Sequence, residues 1–107
     1  MYQRQYTPRF VKNLSRFQNM RARIKKRIDE LAQDPYQNTE RLGNASDGLN
    51  LLGCRSARIG RNLRILFVVC EECRREPECA YCLCDDLDAQ TIVFLTINTH
   101  DKAYEMK

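Results

Sequence analysis

The chain has 107 residues, 43% hydrophobic and 30% charged, which suits one small globular domain and excludes a disordered chain, a barrel enzyme or a dinucleotide-binding fold. No apolar run approaches the roughly 18–20 residues of a membrane span, and the opening residues lack the apolar stretch of a secretory signal, so a cytoplasmic location is expected. The net charge of +4 conceals an asymmetry: residues 1–69 carry 14 basic against 5 acidic side chains, while residues 70–90 carry 2 against 7.

In chain order, residues 2–6 read as a short strand. Thr7-Pro8 then has the form of a helix start, with Thr as N-cap and Pro in the first helical position. Apolar side chains follow at Phe10, Leu14, Phe17, Met20, Ile24, Ile28 and Leu31. Their spacing of three and four residues predicts one long amphipathic helix, or a helical hairpin broken near Gln18-Asn19, with this stripe packed into a core. Asp34-Pro35 ends it, because the residue before proline is driven out of the helical region. Residues 36–48 are turn-rich and read as a loop. Three strands are then predicted, over 49–59, 63–69 and 91–98. In the second, Leu63, Ile65, Phe67 and Val69 fall on one face and Arg64, Leu66 and Val68 on the other. The last two pair as a hairpin. The whole is one α+β domain, residues 1–107: a small antiparallel sheet with an N-terminal helical hairpin on one face.

Between the last two strands lies a Cys-rich acidic insertion, residues 70–90. It holds five of the six cysteines, and Cys54 stands apart as a core candidate. Cys70-Glu-Glu-Cys73 and Cys79-Ala-Tyr-Cys82 form two CxxC pairs with Cys84 as an alternative ligand, a donor set suited to a tetrahedral structural zinc ion. An iron–sulfur cluster, reduced thiols and a disulfide formed on oxidation are the alternatives. The segment is too polar to bury a core of its own, so an ion would serve to hold it. With no histidine ligand and no open coordination position, such a zinc would not be catalytic.

Of the 18 basic residues 13 are arginine, whose planar fork matches phosphate oxygens and stacks on bases. This points to a polyanionic partner, nucleic acid first, with solvated helix faces as the alternative. The ordered set Thr7-Pro8-Arg9-Phe10, basic amphipathic helices, Asp34-Pro35, Arg55-Ser-Ala-Arg58-Ile, Arg64-Ile-Leu-Phe67, the β-branched run from Thr91, and His100-Asp-Lys-Ala-Tyr104 resembles the RelE/ParE toxin superfamily. The resemblance covers nearly all of the chain outside residues 70–90. It implies the toxin of a type II toxin–antitoxin module, with a cognate antitoxin as partner, and no membrane or small-molecule substrate. RelE-like members are ribosome-dependent endoribonucleases that cut mRNA in the A site. ParE-like members share the fold but inhibit DNA gyrase without the nuclease residues. A gyrase inhibitor, or an inactive binding module on the same fold, is therefore the alternative reading.

Metal-free RNA cleavage by the 2′-OH needs no cofactor. It needs a proton acceptor, stabilisation of the pentavalent phosphate and a donor for the leaving 5′-oxygen. His100 is the only histidine and titrates near neutrality. Arg64 and Arg58, on adjacent strands, are candidate phosphate clamps. Tyr104 lies four residues after His100 and suits base stacking or proton transfer. The resemblance places the same roles on Arg64, His100 and Tyr104, and extends one to Arg58. Arg55, Arg61 and Lys102 are expected to contact nucleic acid, the arginines standing where the family carries lysines.

Overall fold

The computed structural model describes residues 1–42, 53–75 and 87–99. Strand β1 (Gln3–Tyr6) leads into helix α1 (Pro8–Leu14). The Thr7 hydroxyl accepts from the Phe10 amide at 3.1 Å, and Pro8 opens the first turn. A tighter 3₁₀ stretch (Ser15–Met20) joins α1 to α2 (Arg21–Gln33). Phe17, at φ −120° and ψ 44°, breaks the helical path there. The predicted hairpin, broken near Gln18-Asn19, is therefore what forms, with its kink one residue earlier. Asp34 leaves α2 in an extended conformation ahead of Pro35, and its carboxylate accepts from the Tyr36 amide at 3.0 Å.

Strands β2 (Thr39–Arg41), β3 (Arg55–Ile59), β4 (Leu63–Val69) and β5 (Thr91–Thr99) complete a sheet of order β1-β5-β4-β3-β2. β2 through β5 run antiparallel to their neighbours, and β1 joins β5 in parallel, Gln3 opposite Thr91 and Tyr6 opposite Phe94. The sheet is thus mixed at one edge. β2 lies inside the segment read as a loop, because three residues between turn formers carry no period to detect. The described part of the strand predicted over 49–59 begins at Arg55, and residues 43–52 lie outside the described residues.

The sheet separates two apolar clusters. On the helical side Phe10, Ile24, Ile28 and Leu31 pack on Ile65, Phe67, Val69, Ile92, Phe94 and Ile97. These include the predicted stripe and the predicted apolar face of β4. On the other side Cys54, Val68, Cys70, Cys73, Val93 and Leu95 form a smaller cluster. Covered on both faces, β4 is buried along its length, which is why it reads as an almost continuous apolar run. Phe10 is fully buried, and its truncation to Ala would cost about 3–5 kcal/mol. The insertion starts as a single helical turn, α3 (Cys70–Cys73). The Glu71 amide bonds the Ala89 carbonyl at 2.9 Å, drawing the two described ends of the insertion together. Among the described residues no helix is long and apolar enough to cross a membrane.

Candidate nucleic-acid interface

Strand register decides which of the predicted residues meet. Arg58 on β3 stands directly opposite Arg64 on β4, and Arg64 stands opposite Asn98 on β5. Directly opposed residues share a face, so Arg58, Arg64 and Asn98 form a row across three strands. Alternation along β4 puts that row on the face away from the helices, since Leu63 and Ile65 on either side of Arg64 belong to the helical core. Ser56 and Glu40, opposed across β3 and β2, lie on this same face. The Arg64 guanidinium donates to the Ser56 hydroxyl at 3.3 Å, and its Nη1 lies 3.8 Å from the Glu40 carboxylate. Arg64 is buried, whereas Arg58 and Glu40 are exposed. The chain continues from Thr99, opposite Leu63, directly into His100.

Two arginines directly opposed on adjacent strands are electrostatically unfavourable. An anion bridging them would turn that cost into an attraction. Arg64 is fixed by burial and by Ser56, and so offers a rigid donor. Arg58 offers an exposed one. Glu40 adds a carboxylate beside them, able to accept a proton or to orient the guanidinium. Sequence reading missed Glu40, Ser56 and Asn98. The signal for Glu40 was weak, because β2 is too short to announce itself, but Asn98 was recoverable from the predicted β4–β5 hairpin.

The other predicted residues do not join this row. Arg55 and Arg58 are an odd number of positions apart on one strand, so they point to opposite faces. Arg55 Nε and Nη2 donate to both Glu72 oxygens at 2.8–3.0 Å. Its Nη1 donates to the Thr39 hydroxyl at 3.2 Å, and its guanidinium lies 4.7 Å from the Tyr36 ring centre. Arg55, expected to contact nucleic acid, is thus not brought to the Arg58–Arg64 row: its guanidinium is engaged by α3 and its surroundings. Arg61 sits exposed in the β3–β4 turn, beside Gly60, which takes the left-handed φ of +62°. An added Cβ at Gly60 would lie 3.6 Å from the Arg23 guanidinium, so α2 brings another cation to this end of the sheet. His100, Lys102 and Tyr104 lie outside the described residues.

Next to the Arg55–Glu72 pair, the Tyr2 and Tyr36 hydroxyls both donate to Glu71 Oε1, the latter at 2.6 Å. These bonds, Tyr2 first, hold the Glu71 carboxyl below its usual range. Burial, reinforced by Glu71, pushes the Tyr36 hydroxyl well above its own. Glu71 and Glu72 thereby fasten α3 on the polar side, while Cys70 and Cys73 face the smaller apolar cluster. Cys70 is disulfide-bonded, and Cys54 and Cys73 are buried thiols outside any disulfide. Cys79, Cys82 and Cys84 lie outside the described residues, and among the described ones no three His, Cys, Asp or Glu side chains are grouped to hold a metal.

No protein-family model matches the chain, and no curated protein matches its sequence. Solved structures do match in fold. The RelBE2 toxin–antitoxin complex from Mycobacterium tuberculosis contains a chain 20% identical to this one, with a TM-score of 0.60 over 92% of this chain and 96% of that one. YafQ from E. coli strain BL21(DE3) is 13% identical, with a TM-score of 0.61 over 94% of this chain and 96% of its own. A histidine-to-glutamine mutant of YafQ superposes equally well, at 12% identity. The architecture is thus a RelE-like α+β fold, carried over nearly the whole chain.

Proposed function

We propose that the chain is the toxin of a type II toxin–antitoxin system and acts as a ribosome-dependent mRNA endoribonuclease. The observation that carries this reading is the Arg58–Arg64 pair on the face of a RelE-like sheet away from the helices, with Glu40 and Ser56 against it. Arg64 and Arg58 hold the scissile phosphate and stabilise the charge that builds on it as the 2′-oxygen attacks. Glu40 takes the 2′-OH proton, and His100 protonates the departing 5′-oxygen. The 2′-oxygen–phosphorus bond forms as the phosphorus–5′-oxygen bond breaks, leaving a cyclic phosphate and a free 5′-OH. No metal or redox partner takes part. Tyr104 stacks on a base, and Arg61 and Lys102 contact the RNA backbone. The partner that restrains the activity is a cognate antitoxin, a reading supported by the likeness to a chain of the RelBE2 toxin–antitoxin complex.

For the insertion we propose that Cys70, once reduced, joins Cys73, Cys79 and Cys82, or Cys84 in place of one of them, around a structural zinc. Stoichiometric zinc in protein purified under reducing conditions supports this. Its absence there overturns it.

The experiment that tests the main reading is primer-extension mapping of mRNA in a translating extract, with and without ribosomes. Wild-type protein is compared with Arg64→Ala and His100→Ala. Ribosome-dependent cuts that both substitutions abolish are expected. Translation arrest that survives both overturns the nuclease. The alternative, a gyrase inhibitor or inactive module, draws on the burial of Arg64, which also fits a structural arginine. Inhibited supercoiling with intact mRNA would establish its gyrase form.

A further inference from the structure

The row across the sheet ends in a neutral residue. Asn98 stands on β5 directly opposite Arg64, on the face away from the helices, and it is half-buried beside the exposed Thr99. The strand that carries it is well fixed. Two residues earlier, and so on the same face, Thr96 is buried, and its hydroxyl accepts from Asn13 Nδ2 at 2.9 Å. α1 thereby holds β5 just before Asn98.

An asparagine amide carries one acceptor oxygen and two N–H donors, and here the two ends are divided. The Thr99 backbone amide donates to Asn98 Oδ1 at 2.9 Å. A backbone N–H can only donate, so this bond decides which end of the side chain is which. The oxygen is turned to the chain, and Nδ2 has no partner among the described residues. Asn98 therefore offers donors alone. That changes what it can recognise. Asparagine ordinarily pairs with adenine by using both ends of its amide, on N6 and N7. With its oxygen engaged, Asn98 cannot do so. On the major-groove edge guanine shows two acceptors, N7 and O6, and uracil, like thymine, shows O4. Cytosine shows an amino group there, and adenine an amino group beside N7. A donor-only side chain matches the first two and meets a second donor on the others.

Neighbouring strands lie about 4.8 Å apart, so Asn98 stands roughly 10 Å from Arg58 along the row. A phosphate held between Arg58 and Arg64 leaves Asn98 one strand farther on, beside the nucleoside attached to that phosphate. We propose that Asn98 reads this base, donating from Nδ2 to the exocyclic oxygen of guanine or uracil, and so sets a preference for keto over amino bases next to the cleaved bond. The inference rests on the nuclease reading and deepens it, by naming a class of base and the residue that selects it.

The test uses the full chain and fluorescein-labelled RNA hexamers methylated at every 2′-oxygen, which bind but cannot be cut. Uridine is compared with cytidine and inosine with adenosine, each pair differing in the exocyclic group. Read by fluorescence anisotropy, the keto member of each pair is expected to bind about fivefold more tightly, the scale of one net hydrogen bond. Asn98→Ala should bring each ratio within twofold of one. Asn98→Asp keeps an oxygen for the Thr99 amide and replaces the donors with a second acceptor, so it should reverse both ratios. A purely structural Asn98 would leave them unmoved. Wild-type ratios near one, no binding of any hexamer, or a keto preference that survives either substitution overturns the proposal. The same preparations are assayed for mRNA cleavage. Keto-selective binding without cleavage removes the nuclease and keeps the base contact. Cleavage with no excess of guanine or uracil at the cut sites removes the base contact and keeps the nuclease.

Discussion

The two faces of the sheet treat arginine in opposite ways. On the helical side Arg55 is matched oxygen for nitrogen by Glu72 and capped by the Tyr36 ring, and α3 is locked in place as a result. On the side away from the helices Arg58 and Arg64 stand directly opposed, with Glu40 3.8 Å from Arg64. One cluster brings opposite charges together and supports the fold. The other places two like charges side by side, with Ser56 and Glu40 beside Arg64. A local departure from favourable pairing is the better guide to function than the arginine count.

The sharpest break between the two faces comes from Arg64→Ala. On the proposed reading it lowers mRNA cleavage at least about 100-fold, the scale of losing one fixed donor to a transition-state oxyanion, as read by quantitative primer extension. Next in size, Arg55→Ala leaves Glu72 without its partner in a mostly buried setting. It is expected to cost about 2 kcal/mol in urea denaturation while cleavage by the folded protein stays within twofold. An Arg55→Ala protein that is fully stable but inactive would reverse the assignment of the two faces. Glu40→Gln keeps the shape and removes the charge. It should slow cleavage about tenfold or more, as read by quantitative primer extension, and undiminished cleavage would show that Glu40 takes no proton.

The smallest effect concerns pH and Glu71. Its carboxyl titrates below the ordinary range in the folded chain, chiefly because Tyr2 donates to it. Its contribution is therefore complete above the unfolded carboxylate pKa of about 4.3. It is lost as pH falls through the lower folded value. Tyr36 is shifted upward, so its contribution is present below the unfolded value near 10 and fades as pH rises beyond it. Glu71→Gln should flatten the acid limb of stability in urea titrations from pH 6 down to 3, and an unchanged acid limb would show that the tyrosine contacts contribute nothing.

Much of this was legible beforehand because it is periodic. The stripe from Phe10 to Leu31, the two faces of β4 and the stop at Asp34-Pro35 follow from spacing and proline sterics, and the structure shows all three. The β4–β5 hairpin was also readable, although its bulge at Leu66/Phe67 was not. β2 escaped because three residues cannot display alternation, and with it went Glu40. Grouping Arg55 with Arg58 and Arg61 had a different cause. The parity that separates it from Arg58 was present in the sequence, but the local density of arginines outweighed it. The partner of β1 could not be read at all, since parallel pairing with β5 joins distant segments and leaves no local mark.

That distant pairing also sets an order of events during synthesis. Thr7 bonds Leu95, 88 residues later in the chain, so β1 emerges from the ribosome long before its partner exists. The β2–β3–β4 portion can assemble as translation proceeds, being joined by nearer contacts. The sheet is completed only when β5 slots between β4 and the waiting β1. A nascent chain would thus complete its row of Arg58, Arg64 and Asn98 only once β5 has joined β4.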